Sequence, residues 1–316
     1  AETTRLERGQ FRALIARAAR APSSHNTQPW RFRRESAGVS LHADPERRLP
    51  VNDPVDRELA ISCGCALMNL RVAAAAVGLG YHLERLPGGA GSACLAQMSW
   101  RVEAPDAEEA SLEEAIERRR TYCHRFAPSA VPRETLDALV AMAEQEGAQL
   151  RVVERGAPRM EVALLIAEGD AIQWRDPAWR HELAGWVRAR RRGDGLSVPR
   201  VIAPIARLVV RAVDMGKRVG AHDRQLAEDT PLLILVCTAG DERLDWLRAG
   251  EALQRVLLAA NQLGLQASYL NQPIQVASLR ARLQSVIGER AHPQILLRLG
   301  YPQRELPPAP RRPVDD

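Results

Sequence analysis

A single lysine, Lys217, stands against 43 arginines, and 316 residues include only three phenylalanines and four tyrosines. Basic tracts interleaved with aromatics are missing, which argues against a nucleic-acid partner despite the net charge of +5. Arginine suits phosphate and carboxylate recognition, but in so alanine-rich a chain its excess also follows from GC-rich coding, so only arginines placed by a motif carry weight. Cysteines are few, odd in number and scattered (Cys63, Cys65, Cys94, Cys123 and Cys237), which excludes a disulfide framework and favours a reducing compartment. Cys63 and Cys65 lie two apart in an apolar helical run, where their side chains diverge and belong in a core. No His-x-x-x-His, Cys-x-x-Cys or Gly-x-Ser-x-Gly string occurs, so neither a metal nor a serine nucleophile is expected. The longest apolar run, Leu59 to Leu83, is broken by Arg71, Gly64, Gly78 and Gly80 and reads as a buried helix ending in a turn rather than a membrane span. No secretory pattern is visible near Ala1; the cytoplasm is the default expectation, with removal of a leader left open.

What remains is ordinary globular composition, 46% hydrophobic and 26% charged, for one large domain or two related halves. A repeat favours the halves. Setting Gly64 to Pro87 against Gly250 to Pro273 matches eight of 24 positions without a gap, including Gly64/Gly250, Gly78/Gly264, Leu79/Leu265 and Pro87/Pro273. Each copy reads as a long helix, a Gly-Leu stop and an extended segment. A helix precedes a strand near Trp30 and again near Leu150, and further strands are expected at Gly38 to Leu41, Cys94 to Val102, Leu232 to Val236, Gln266 to Leu270 and Gln294 to Leu299. Residues 171 to 228 have no counterpart in the first half. This insertion carries Trp174, Trp179, Trp186 and an apolar stripe of Leu208, Val209 and Val213 beside Arg207 and Arg211; a packed excursion, a lid and a membrane or partner surface are all open readings.

The most informative stretch is Ala21-Pro22-Ser23-Ser24-His25-Asn26-Thr27-Gln28-Pro29-Trp30. Two prolines fix the backbone at its ends, and small polar residues between them let a flat heterocycle approach and meet hydrogen-bond donors. By composition alone a structural Ser/Asn turn accounts for it equally well. A second string, Arg118-Arg119-Arg120-Thr121 followed by Phe126, has the chemistry for a dianionic phosphate, or is a solvated basic helix end.

In order and spacing the first string resembles the flavin-contacting loop of the FMN-dependent nitroreductase superfamily, and the second resembles that family's arginine element near the flavin phosphate. In ordinary members the arginine element comes first and a homodimer builds two sites. Here the order is reversed, and Glu144 to Leu150 lacks the serine string, so the resemblance implies a fused dimer that keeps one flavin site. It is most similar to the Acg group, which also shows Leu49-Pro50 after an Asp-Pro-Glu-Arg-Arg turn, a Ser62-Cys63-Gly64 helix entry and an inserted lid. The implied fold is α+β, nitroreductase-like, internally duplicated and fused into a pseudo-dimer with central long helices flanked by β-sheets. Its first half would be residues 1–110 and its second 111–316, with the lid at about 171–228.

The resemblance also implies roles. FMN would be held by Pro22, Ser23, Ser24, Asn26 and Gln28, by Arg118, Arg119, Arg120 and Thr121, and by Leu270, Asn271 and Gln272, where an amide would donate to the flavin N5. Arg311 and Arg312 would return to the phosphate. A basic residue usual two positions after Thr121 is Cys123 here, so His124 or Arg125 takes its place. His25, Trp174, Trp179 and Trp186 are substrate or lid candidates, with His25 alternatively a turn residue. The chemistry would be the cofactor's, with no catalytic side chain and no metal. Expected partners are NAD(P)H and a small acceptor such as a nitroaromatic or quinone, and a monomer suffices because the fold is already a fused dimer. The alternative is a lidded protein that binds or sequesters FMN without NAD(P)H-dependent turnover.

Overall fold

The computed structural model describes residues 6–288 and 290–314. In the first part of the chain, α1 (Arg8–Ala18) leads through the serine loop into the hairpin β1 (Trp30–Glu35) and β2 (Gly38–Ala43). Then come the long α2 (Arg57–Ala76), β3 (Gly80–Arg85) and β4 (Cys94–Arg101), with Gly89 at a positive φ in the turn between these strands. Short helices α3 (Ala107–Ser111) and α4 (Glu113–Arg118) precede α5 (Arg133–Glu144) and β5 (Gln149–Val152). The inserted region begins near the end of α6 (Ala157–Arg175) and holds α7 (Pro177–Trp186), the parallel pair β6 (Val187–Ala189) and β7 (Leu196–Val198), α8 (Ala203–Ala212) and α9 (Gly216–Asp229). After it follow β8 (Leu232–Thr238), α10 (Arg243–Gln262), β9 (Gln266–Tyr269), α11 (Gln272–Gln275), α12 (Ala277–Ile287) and β10 (His292–Gly300).

Two four-stranded antiparallel sheets result, ordered β1-β2-β4-β3 and β5-β8-β10-β9. The orders correspond element for element when β2 is set against β8, β3 against β9 and β4 against β10. Between the sheets lie α2 and α10, which pack on each other more extensively than any other helix pair. Both helices end in the same way: Gly78 (φ 81°) and Gly264 (φ 80°) take the left-handed conformation that only glycine adopts freely, and Leu79 and Leu265 donate back to Ala74 and Ala260. Among the described residues α2 is the one helix long and apolar enough to cross a membrane, and it is buried in the core.

β8 is covered on both faces, which explains its unbroken apolar run. Side chains alternate along a strand, so Leu232, Ile234 and Val236 join the main core around α2 and α10, whereas Leu233, Leu235 and Cys237 face a second core against α6 and α12. A third, smaller cluster of Trp174, Trp179 and Leu183 lies under α8. Pro204 stands in the first turn of α8, where its missing N–H breaks no helical bond. After β10 the chain runs back to the first half, where Arg312 donates to the carbonyls of Gln28 and Trp30.

Candidate active site

A cavity of about 630 Å³ opens where the serine loop, the N-terminal half of α2, the end of α4, the inserted region and the returning C-terminal segment meet. That volume lies within the range of ligand pockets, roughly 300–1,000 Å³.

The serine loop is wound tightly around one edge. Ser24–Asn26 form a single 3₁₀ turn closed by Asn26 N–H to Ser23 O and Thr27 N–H to Ser24 O. Ser23 Oγ accepts the Gln28 N–H at 2.9 Å. His25, Asn26 and Gln28 all have left-handed φ of 50–52°, an uncommon strain for side-chain-bearing residues and one that concentrates at ligand sites. Ser24 Oγ donates to Glu58 at 2.6 Å, and the other Glu58 oxygen accepts from Gln275 at 2.9 Å. Burial lowers the His25 pKa, against the opposing charge of Glu58, and its Nδ1 is buried without a hydrogen-bond partner.

Beside this loop converge Arg20, Arg119, Arg120 and Arg311. Arg311 donates to the carbonyls of Ala19, Arg20 and Ala21 and to Asn26 Oδ1. Its pKa is pushed down to about 9, first by burial and then by the charges of Arg119 and Arg20. Arg119 is 7% exposed, its Nε has no partner, and no carboxylate pairs with it among the described residues. Burial also lowers its pKa, with Tyr269 and Cys65 opposing. The Tyr269 hydroxyl is likewise buried without a partner. Buried charges are normally paired, so a cluster of cations with one member unpaired is built for an anion.

The opposite wall is acidic. Asp170 on α6 and Asp223 on α9 share the side-chain amide of Gln272, which donates to Asp170 at 3.2 Å and to Asp223 at 2.8 Å. Burial and then the neighbouring Asp223 raise the Asp170 pKa to about 7. Trp174 and Trp179, edge to face with centroids 5.4 Å apart, line the cavity above.

The inserted region is fastened to the first half at several points. Glu182 accepts the N–H groups of Val51 and Asn52 at 2.8 and 2.9 Å, and Trp179 Nε1 donates to Asn52 Oδ1 at 2.9 Å. Gln28 Nε2 donates to Gly193 O at 2.7 Å, and Arg47 pairs with Asp194 at 2.9 Å.

Two Mycobacterium tuberculosis proteins, both provisionally named NAD(P)H nitroreductases, set this geometry in a family. One is 33% identical over 312 residues, covering 95% of this chain and 88% of its own length. The other, acg, is 30% identical over 319 residues, covering 97% and 94%. The chain belongs to the Acg-like nitroreductases. No family model matches it. A crystal structure from Anabaena variabilis, also provisionally described as a nitroreductase, shares the fold of this nitroreductase over 96% of its chain and 90% of the other, with a TM-score of 0.57 and 11% identity.

Of the residues singled out from the nitroreductase resemblance, Pro22, Ser23, Ser24, His25, Asn26, Arg119, Arg120, Thr121, Asn271, Gln272, Arg311, Trp174 and Trp179 all line the cavity. Seven stand elsewhere, among them His124, which is exposed and meets Arg304. Gln28 is buried behind the loop and ties it to Gly193 and Arg312. Arg118 pairs with Glu114 on the exposed face of α4, and Arg125 pairs with Asp229 at the surface. Leu270 belongs to the second core, Arg312 holds backbone carbonyls, and Trp186 lies under Arg188, whose guanidinium is 4.2 Å from the ring centroid. Two of the displacements have a local cause. Arg119 ends α4 with an extended ψ of 132°, so it turns inward while Arg118 stays on the helix surface. Tyr269 takes the cavity side next to Leu270 because successive strand residues face opposite ways. Arg20, Glu58, Cys65, Asp170, Asp223 and Tyr269 line the cavity without having been singled out as site residues; Arg20 and Tyr269 adjoin the recognised strings, and Asp170 and Asp223 belong to no motif.

Proposed function

We propose that the chain binds one FMN in this cavity and acts as a nitroreductase-type oxidoreductase, passing a hydride from a reduced nicotinamide to a small acceptor such as a nitroaromatic or quinone. The unpaired, buried Arg119 beside Arg20, Arg120 and Arg311 is the observation that carries this reading, because the cluster requires a multiply charged anion and FMN supplies one in its phosphate. The strained serine loop, the unpartnered His25 Nδ1 and Tyr269 hydroxyl, and the cavity volume fit a polar-edged planar ring. Bound FMN would supply the two-electron chemistry.

The protein's residues then have positioning roles. Arg119, Arg120 and Arg311 neutralise the phosphate, Ser23, Ser24 and Asn26 shape the ring pocket, and an amide of Asn271 or Gln272 donates to developing negative charge. Trp174 and Trp179 restrict water and acceptor access as part of a lid at about 171–228. We further read the halves 1–110 and 111–316 as a duplication. The matching sheet orders and the paired Gly78 and Gly264 helix stops support it. The serine loop and the arginine string that line the cavity both belong to this chain, which supports reading a monomer as sufficient.

The fastening of the inserted region through Glu182, Trp179, Asp194 and Gly193 favours a second reading, in which FMN is held behind a closed lid and not turned over. An anaerobic absorbance titration separates the two. The protein is loaded with FMN and titrated with NADPH and then NADH, followed by a nitroaromatic. Bleaching and recovery of the flavin band support the oxidoreductase; bound flavin that stays oxidised supports the holding protein; failure to bind FMN removes both.

A further inference from the structure

The inserted region carries a surface that the flavin site does not use. In α8, Val210 packs against the cluster of Trp174, Trp179 and Leu183. On the opposite side of the same helix Ile205 and Leu208 are 64% and 67% exposed, and Val201, in the turn just before the helix, is 83% exposed. These residues recur at the spacing of four and three and form one apolar stripe about 10 Å long. Val209 and Val213 widen it and are also exposed. A large exposed apolar patch on a soluble chain marks an interaction surface.

The charge around the stripe decides what covers it. Between Pro199 and Arg218 there are five basic residues, including Lys217, and one acidic residue, Asp214. Arg200, Arg211, Lys217 and Arg218 are exposed and have no carboxylate partner among the described residues. Asp214 is engaged as the cap that accepts the Gly216 N–H at 2.9 Å. An apolar face flanked by cations is the pattern of a helix lying in the plane of an anionic lipid surface. A second copy meeting this face about a two-fold axis would set the same cations against themselves, which is unfavourable.

We propose that α8 docks the protein on an anionic bilayer, with Val201, Ile205 and Leu208 entering the acyl boundary and Arg200, Arg211, Lys217 and Arg218 meeting lipid phosphates. Trp174 and Trp179 then form the layer between that bilayer and the cavity, since they line the cavity and support Val210 from beneath. The inference is independent of whether flavin is turned over.

The test is flotation of the purified full chain, with and without FMN, on phosphatidylcholine vesicles that contain about one-third phosphatidylglycerol or none. The expected result is binding to the anionic vesicles alone, weakened at about 0.5 M salt, where the Debye length is short. The variant I205E/L208E should lose at least about tenfold in vesicle affinity. R200Q/R211Q should weaken binding at low salt while keeping the wild-type thermal melt, so the test does not depend on how the apolar variant folds. No flotation at low salt would overturn the proposal, as would binding that neither variant alters. Light scattering that shows a dimer converted to a monomer by I205E/L208E would overturn it in favour of a copy-to-copy interface.

Discussion

Gly64 on α2 and Gly250 on α10 cross with so little room that a Cβ on either would lie 2.9 Å from the other's Cα. The same added atom on Gly64 would run into Leu247 O, and on Gly250 into Ile61 O. Each clash maps on the other under a shift of 186 residues, the offset of the sequence repeat, as an isologous contact about a pseudo-two-fold axis does.

G64A and G250A should therefore destabilise the protein to a similar degree, each by at least about 1–3 kcal/mol, the usual cost of overpacking a rigid contact. Urea unfolding midpoints check this. A neutral result at either position would show that the helices can separate without penalty.

Arg71 of α2 is buried among three carboxylates: Glu109 at 2.5 Å, Glu146 at 2.7 Å and Glu251 at 2.7 Å. Glu251 also accepts from Arg85, and Glu146 from Arg255. The network joins α2 to α3, to the end of α5 and to α10. Replacing Arg71 by Met should cost about 3–5 kcal/mol, because it strands buried negative charge. Denaturant titration at neutral pH measures it, and lowering the pH should recover part of the loss as the stranded carboxylates take up protons.

Arg119 gives the converse case. Arg119→Met removes a buried cation that has no protein partner, so the flavin-free protein should melt at the same or a higher temperature than wild type. FMN affinity should fall at least about tenfold, whereas riboflavin, which lacks the phosphate, should lose far less. Flavin fluorescence titration with both ligands checks this. Equal losses for the two would take Arg119 away from the phosphate.

The Asp170 carboxyl faces Asp223 and Gln272, and Asp223 in turn feels His222 and Arg298. Since the folded pKa of Asp170, about 7, lies above the ordinary value of 3.8, the folded state holds the proton more tightly than the unfolded chain. Its contribution to stability is complete below the unfolded value and is lost as pH rises through about 7. Wild-type stability should fall by on the order of 1 kcal/mol per pH unit across that window, and D170N should flatten the profile. Urea titrations from acid to mildly alkaline pH measure the slope.

Much of the fold is legible in local sequence because its determinants are local. The Gly-Leu stops at Gly78 and Gly264 announce both central helices, and the continuous apolar run Leu232 to Val236 announces a strand covered on both faces. Segments of the candidate site are legible for the same reason: Pro22 to Trp30 and Arg118 to Thr121 are short strings with their own backbone requirements. Which member of a string reaches the cavity is a finer matter. Arg118 and Arg119 differ by one residue, as do Tyr269 and Leu270, yet one of each pair enters the cavity and the other does not. A single turn in ψ or the two-residue period of a strand decides it.

The helix stops, the strand alternation and the backbone turns of the serine and arginine strings follow from local sequence, since each depends on a few neighbouring residues and their backbone preferences. That Arg119 is buried without a counter-charge, that Asp170 and Asp223, 53 residues apart, share one amide, and that α8 turns its apolar stripe outward all emerge from long-range packing. Burial and charge pairing are properties of packing between distant segments, and no local pattern encodes them.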